Sequence, residues 1–261
     1  MTYEEEIKEA HEKRINRLRS GTGWLSLVDK IFLSEKTTEL KLPDGSIEGP
    51  VVVDLEAKRV ELGGRVLKSD KEGRADAINV NGFVVELMER GEILAFRVRD
   101  HRELPRPFAG ISLFPVDPAW RKEARLERYE TPRQVLLDFE GATVTGGVTD
   151  VFQSPGVLVF EHEGAEHRLE AVWEGADELR LMVLFRDATS GKESYPLGRL
   201  VYANAPATTD APVVLDFNLA MLPGCAFSVY ATCPIASKQN RLSLRVCAGE
   251  RFYEGKAIGE P

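Results

Sequence analysis

The residues whose types could do chemistry concentrate between positions 185 and 250. There, hydroxyl, carboxylate, amide, guanidinium and thiol groups alternate with short apolar runs. The planar fork of arginine suits a carboxylate or a phosphate. The predicted ligand-binding side chains are Arg186, Asp187, Ser190, Tyr195, Arg199, Asp216, Asn218, Asn240 and Arg241. We expect these groups to line one polar pocket that accepts a small anionic or polyhydroxylated ligand.

Asp216 is the carboxylate whose surroundings demand a partner. Alternation along a strand at residues 213–218 places Asp216 and Asn218 on one face, between apolar neighbours. A partly buried carboxylate must be paired or hydrogen-bonded. The nearest cations in the sequence are Arg186, Arg199 and Arg241. Two interpretations stay open: a purely structural network, or arginines with free donors that face a pocket.

Several side chains in the same stretch are candidate catalytic groups. Ser190, Cys225 and Cys233 are the possible nucleophiles, and Asp216 or Glu250 is the possible base. No Gly-x-Ser-x-Gly elbow surrounds Ser190. The two cysteines could be a catalytic thiol with a lowered pKa, a disulfide closed by a hairpin, or small buried hydrophobic residues. The catalytic residue itself is left unassigned.

Metal binding is not predicted. His162 and His167 flank Gly164-Ala165, and a two-residue turn there would place the two imidazoles opposite each other. A usable site needs a third ligand, and the chain has no Cys-x-x-Cys pair. We therefore predict no metal site, and the sequence identifies no cofactor.

Composition limits the classes of function. The chain has 261 residues and a formal net charge of -8, which argues against nucleic-acid binding because that requires a basic face. No apolar run approaches the roughly 20 residues of a membrane helix. The N-terminus has no secretory signal, and three cysteines do not make a disulfide framework. We expect a cytoplasmic protein that does not bind membranes.

An amphipathic helix is predicted at the start of the chain, in residues 1–20. Thr2 and Glu5 have the spacing of a capping box, and apolar residues follow at helical intervals. The helical part is predicted to span residues 3–19. We expect it to lie on a larger body.

The rest of the chain has the pattern of a mainly β protein. Short strands and turns over residues 21–104 predict a small β-sandwich, with hairpins at Asn81-Gly82 and at Gly91. Residues 105–261 predict a larger antiparallel β domain, either a barrel or a sandwich. A short helix capped by Asp117 is expected to run to about Ala124. Arg97 and Arg99 share one face of a strand, so a cleft between the two domains is a second place for a ligand.

An ordered series of segments resembles a prokaryotic family known as domain of unknown function 1684. The segments, within residues 97–253, include Arg97-Val98-Arg99-Asp100, Phe185-Arg186-Asp187-Ala188-Thr189-Ser190-Gly191, Leu215-Asp216-Phe217-Asn218, Ala231-Thr232-Cys233-Pro234 and Ala248-Gly249-Glu250. The resemblance implies no established activity. Separately, the pattern of residues 40–82 is loosely similar to a forkhead-associated sandwich.

Three functions follow from these observations. The first is binding of a small anionic or polyhydroxylated ligand. The second is a hydrolase-like enzyme with a cysteine or serine nucleophile in the same pocket. The third is a structural or interaction module whose polar network only stabilises the fold.

Overall fold

The N-terminal helix forms as predicted. The computed structural model describes residues 1–102, 108–140, 148–175, 178–208 and 210–260, and its helix α1 spans Tyr3–Leu18. The Thr2 hydroxyl accepts the Glu5 N–H at 3.3 Å, and the Glu5 carboxylate accepts the Thr2 N–H at 2.7 Å. The capping box is therefore present. No described helix is long and apolar enough to cross a membrane.

The first half of the chain builds small antiparallel sheets around one core. Its strands are β1 (Leu27–Phe32), β2 (Leu40–Lys41), β3 (Ile47–Glu48), β4 (Val51–Asp54), β5 (Arg59–Leu62), β6 (Arg65–Val66), β7 (Ala77–Val80), β8 (Phe83–Arg90) and β9 (Ile93–Asp100). The sheets have the orders β1-β9-β8-β7, β4-β5-β6 and β2-β3. Asn81 and Gly82 both have positive φ, as the two-residue hairpin requires.

One face of the four-stranded sheet carries charge. Its other face supplies apolar side chains such as Val85 and Phe96 to the core shared with β4 and β5. On the charged face Lys30 is the direct cross-strand partner of Arg97, which in turn faces Glu86. Because side chains alternate along a strand, Arg99 lies on this face with Arg97. The charged face is turned toward the second half of the chain, where Thr232 contacts Met88, and Arg99 on this face also donates to the Gly23 carbonyl beside β1.

The second half forms a nearly closed, barrel-like antiparallel sheet. Its strands are β10 (Ile111–Leu113), β11 (Arg121–Glu140), β12 (Val148–His162), β13 (Ala165–Trp173), β14 (Arg180–Phe185), β15 (Arg199–Asn204), β16 (Val213–Asp216), β17 (Cys233–Pro234) and β18 (Glu250–Tyr253). The main order is β15-β14-β13-β12-β11-β16, β17 pairs with the end of β11, and β10 pairs with β18. Trp120, Phe160, Phe185 and Phe217 fill its core. The molecule is mainly β, as the sequence predicts.

Single turns of 3-10 helix connect these strands. They span Trp24–Ser26, Asp70–Glu72, Pro118–Trp120, Phe217–Leu219, Gly224–Ala226 and Lys238–Asn240. Asp117 caps its turn by accepting the Ala119 N–H at 2.8 Å. The prediction that this helix continues to Ala124 is wrong, because Ala124 and Leu126 are buried at a period of two and belong to β11.

The hairpin that carries the two histidines has a different register from the predicted one. Glu163 and Gly164 occupy the turn with positive φ, so His162 pairs with Ala165 and His167 pairs with Phe160. The imidazoles therefore do not stand opposite each other. The His162 ring stacks on Trp120 with ring centroids 4.2 Å apart.

The two halves of the chain and α1 are in direct contact. The Ser228 hydroxyl donates to the Leu27 carbonyl at 2.8 Å, and α1 joins a small core with Leu222 and Phe227. The predicted boundary between residues 104 and 105 falls outside the described residues. The division into domains stays a prediction.

Candidate functional site

Arg199 lies at the centre of a sealed polar network. Its side chain is 0% exposed, and it donates to the carbonyls of Ala248 and Val246 and to Asp187, the last at 3.4 Å. Burial lowers the pKa of Arg199, while Asp187 acts in the opposite direction. Phe114 and Phe185 pack over the guanidinium. This arginine therefore holds the loops around β15 in place.

Asp187 and Ser190 belong to the same network. The Asp187 carboxylate accepts hydrogen bonds from the hydroxyls of Thr189 and Ser190 and from the N–H of Val246. The Ser190 hydroxyl also accepts the N–H of Asp187, at 3.1 Å. Among the described residues no histidine contacts Ser190, and the carboxylate that accepts its hydroxyl, Asp187, also accepts from Thr189, Arg199 and the Val246 N–H.

Asp216 and Asn218 fasten α1 to the barrel. Both oxygens of the buried Asp216 carboxylate accept the Tyr3 hydroxyl at 2.9 Å, and Arg121 lies 3.6 Å away. The Asn218 amide donates to Tyr3 and to the carbonyl of Asp117. The expected partners, Arg186, Arg199 and Arg241, form no hydrogen bond or ion pair with Asp216 in the part of the chain that the structure describes. Apart from Asn218, which donates to Asp216 from two residues away, its partners Tyr3 and Arg121 lie far away in sequence, and local spacing does not reveal them.

Glu250 and Asn240 have structural partners as well. Burial raises the pKa of Glu250, although Arg14 and the Leu222 N–H both stabilise its charge. The Asn240 side chain forms hydrogen bonds with backbone groups of two strands. It accepts the Glu170 N–H and donates to the carbonyls of Glu170 and Leu184. These contacts join β13 to β14.

Arg186 and Arg241 are neighbours at the end of β14. They form an isolated parallel bridge, in which the Arg186 N–H donates to Asn240 and the Leu242 N–H donates to Arg186. Arg241 is exposed and Arg186 is half-buried. Neither lines the two cavities described below.

Tyr195 contacts the cysteines rather than the arginines. Its hydroxyl is hydrogen-bonded to Cys225, and burial raises its pKa. The Cys225 N–H donates to the sulfur of Cys233 at 2.9 Å, and all three cysteines are free thiols. The predicted residues therefore divide into four groups, around Arg199, around Asp216, around Cys225 and around the bridge of Arg186 with Arg241, instead of converging on one hollow.

A cleft of about 430 Å³ lies between the charged sheet face, α1 and the barrel. Among the described residues, those of the cleft wall that carry positive charge are Arg14, Arg17, Arg90, Arg97, Arg99 and Arg180. Trp24, Phe152 and Tyr202 add aromatic surface, and Cys233 lies at one edge. This volume falls within the range of small-molecule sites. We call it the arginine cleft.

The carboxylates around the arginine cleft do not match its cations one for one. Asp70 is shared by Arg90 and Arg97, with its Oδ2 2.9 Å from a nitrogen of each. Burial lowers the pKa of Arg97 to about 10 against the pull of Asp70. The Arg97 Nε is buried and has no hydrogen-bond partner among the described residues. A hydrogen bond from this buried N–H to an acceptor atom of a ligand would therefore be favourable.

The remaining arginines of the cleft differ in how firmly they are held. Arg99 is fixed by Glu86 at 2.9 Å, and Arg14 by Glu250 and the carbonyl of Leu222. Arg180 is half-exposed, pairs with Glu174 at 2.8 Å and lies over the Tyr202 ring. Arg17 is exposed in the last turn of α1, and the described chain gives it no carboxylate within ion-pair distance.

A smaller cavity of about 260 Å³ adjoins the arginine cleft beneath α1. It shares Arg14, Arg180, Tyr202 and Met221 with the larger one. Its remaining lining is mostly apolar, but it also contains Asn218 and Glu250, two of the predicted site residues.

The described residues contain no group of three or more His, Cys, Asp or Glu side chains that could hold a metal ion. His162 and His167 lie on the barrel hairpin with aromatic partners Trp120 and Phe160.

The sequence pattern predicts only some of the arginines that line the arginine cleft. Arg97 and Arg99 are two residues apart on one strand and therefore share a face, and this pattern predicts a cleft between the two halves of the chain. Arg14 and Arg17 are spaced three residues apart on α1, which places them on one side of the helix. Arg90 and Arg180 carry no comparable signal, because a hairpin end and a barrel edge bring them to the cleft.

Comparisons with known proteins agree with the pattern of the second half. A family model described as "Protein of unknown function (DUF1684)" matches residues 106–251, which is more than half of the chain. The solution NMR structure of an uncharacterized protein from Haloarcula marismortui is similar at 35% sequence identity. That match covers 58% of this chain and 84% of the other, with a TM-score of 0.44. A comparison with curated proteins found no match.

Proposed function

This chain belongs to the family described as protein of unknown function (DUF1684), and we propose that it binds a small anionic ligand in the arginine cleft. The observation that carries the proposal is the convergence of six arginines on one cavity with too few carboxylates to pair them singly. Arginine forks bind carboxylates and phosphates by paired, charge-assisted hydrogen bonds. The ligand is accordingly a compact carboxylate or phosphate compound.

Each wall of the cleft has its own part in this proposal. The sheet supplies Arg97, whose unpartnered Nε is directed by its fixed ion pair with Asp70. Helix α1 supplies Arg17, and β14 supplies Arg180, both with solvent-accessible donors. Trp24 and Tyr202 offer flat surfaces against which the apolar part of a ligand packs. The cavity thus combines a donor group held by an ion pair, Arg97, with the more exposed donor groups of Arg17 and Arg180.

Thermal denaturation with a panel of small molecules tests the proposal. Citrate, inorganic phosphate and pyrophosphate are compared with an uncharged sugar, at ionic strength matched by potassium chloride. We expect at least one anion to raise Tm in a concentration-dependent way, because binding to the folded state stabilises it by mass action. A response to the sugar alone would contradict the assignment of an anionic ligand.

Matched arginine variants test whether the anion binds in the arginine cleft. Arg17→Gln and Arg180→Gln remove cleft cations that are not buried, and Arg241→Gln removes an exposed cation outside the cleft. We expect each cleft variant to weaken anion binding about tenfold, which is about 1.4 kcal/mol for one charge-assisted contact. Equal losses in all three variants would show that net charge, not the cleft, attracts the anion.

A further inference from the structure

Two thiols lie side by side at the edge of the arginine cleft. Cys225 is in the 3-10 turn Gly224–Ala226, and Cys233 begins β17, which pairs with the end of β11. The Cys225 N–H donates to the Cys233 sulfur at 2.9 Å, and the interaction between the two thiols lowers the pKa of Cys225 and raises that of Cys233. The third cysteine, Cys247, belongs to neither element. The fold therefore brings one specific pair together.

A buried lysine without a hydrogen-bond partner in the described chain interacts electrostatically with Cys233. Lys30 on β1 is 6% exposed, and within the described chain its Nζ has no hydrogen-bond partner. Burial, with Arg97 as a further cause, lowers the pKa of Lys30 to about 8, while Cys233 acts in the opposite direction. The ring of Phe32 lies 5.3 Å from Nζ. An unpaired buried ammonium is costly, and it is positioned to stabilise a thiolate.

The two sulfurs differ in their electrostatic surroundings. The pKa of Cys225 is lowered because Cys233 and Tyr195 both donate hydrogen bonds to its sulfur, against the effect of burial. Burial raises the pKa of Cys233 well above its ordinary value, and Lys30 opposes this. Charged groups also reach the site from other elements, namely Arg97 on β9 and Glu260 near the C-terminus.

Access distinguishes the two thiols as well. Cys225 is half-buried, so a small oxidant can reach it, whereas Cys233 is buried at the wall of the cleft. We propose that Cys225 and Cys233 form a peroxide-sensitive dithiol that closes reversibly into a disulfide. Cys225 is the thiol that reacts with the peroxide, and Cys233 is the thiol that resolves it. This assignment does not depend on the anion-binding function.

The chemistry balances with one peroxide molecule. The Cys225 thiolate attacks a peroxide oxygen, so that an S–O bond forms, the O–O bond breaks, and the departing oxygen takes a proton to leave as water or an alcohol. The Cys233 sulfur then loses its proton and attacks the sulfenic acid. An S–S bond forms, the S–O bond breaks, and water leaves. The two thiols lose two electrons, which the peroxide accepts.

Peptide mapping of the full chain tests the proposal without any variant. The reduced protein is treated with hydrogen peroxide and digested under non-reducing conditions. We expect a disulfide-linked peptide that joins Cys225 to Cys233, a thiol count that falls from three to one, and recovery of both thiols with dithiothreitol. Three thiols still reduced after peroxide, or a link that involves Cys247, would overturn the assignment.

Single substitutions separate the roles. Cys233→Ser is expected to stop the reaction at a sulfenic acid on Cys225, trapped as an adduct with dimedone. Cys247→Ser is the matched control and is expected to form the disulfide at the normal rate. A sulfenic acid that accumulates on Cys233 of Cys225→Ser at the wild-type rate would reverse the two roles and contradict the assignment.

Lys30→Met tests the lysine, with the exposed Lys36→Met as control. We expect closure of the disulfide near neutral pH to slow about tenfold, which is the effect of one pKa unit on the thiolate fraction of Cys233. Formation of the sulfenic acid on Cys225 is expected to change less. Closure that is equally fast in both variants would contradict the part assigned to Lys30.

Discussion

Individual charged side chains in this protein differ in whether their donors are already occupied. Arg199 donates to three carbonyls and a carboxylate and leaves only its Nε unpartnered, whereas Arg17 has no hydrogen-bond or ion-pair partner for its guanidinium within the described chain. The sequence correctly predicted that Asp216 is buried and needs partners. Its partners could not be predicted, because Tyr3 reaches it from the opposite end of the chain.

The pair Asp187 and Arg199 is predicted to stabilise the fold strongly. Asp187→Asn leaves the buried guanidinium without a counterion, so we expect the free energy of unfolding to fall by about 3–5 kcal/mol. Glu193→Gln is the control, because its pair with Arg245 is exposed and is worth about 1 kcal/mol or less. Urea denaturation of the three proteins gives the comparison. Similar small losses in both variants would contradict the structural role of the network.

Lys30 is predicted to make stability depend on pH. Its pKa is lowered to about 8 in the folded protein, against about 10.4 in the unfolded chain. Between these values the unfolded state binds more protons, so stability rises with pH in this window. Lys30→Met should therefore stabilise the protein at pH 7, and the gain should shrink by pH 9.5. Urea denaturation at both pH values measures this, and an unchanged gain would contradict the burial of a charged lysine.

At the scale of elements, the sequence predicts the helix caps and turns that depend only on neighbouring residues. The capping box of α1 and the hairpin at Asn81 and Gly82 follow from sequence chemistry alone. The helix predicted after Asp117 is too long, because residues 121–124 pair with β16 instead of continuing the helix. The histidine hairpin was shifted by one residue, since Glu163 instead of Ala165 occupies the turn. Tertiary pairing, which short windows do not contain, decided both cases.

The contact of Tyr3 with Asp216 is predicted to dock α1. Tyr3→Phe removes the donor that Asp216 accepts on both oxygens, so we expect a loss of about 1–3 kcal/mol in unfolding free energy and faster proteolysis near the N-terminus. Lys13→Ala on the exposed face of α1 is the control. The same proteolysis rate in both variants would show that the helix is held by other contacts.

At the scale of the whole molecule, the cleft exists because two sheet systems and one helix meet. Its arginines come from positions 14 to 180, and more than 160 residues separate the first from the last. Polar groups are dense in residues 185–250, but there they mostly form hydrogen bonds and ion pairs with one another or with the backbone. The proposal of an anionic ligand follows from the chemistry of arginine in either region. The location required the fold, because no local pattern brings Arg90 and Arg180 to one cavity.

The most direct test of anion binding is a crystal soaked in sodium selenate, because selenium can be located by anomalous scattering. We predict an anomalous peak inside the arginine cleft, within hydrogen-bonding distance of the guanidinium of Arg97 and of Arg17 or Arg180. Peaks confined to the outer surface, with the cleft unoccupied by selenate, would contradict the account.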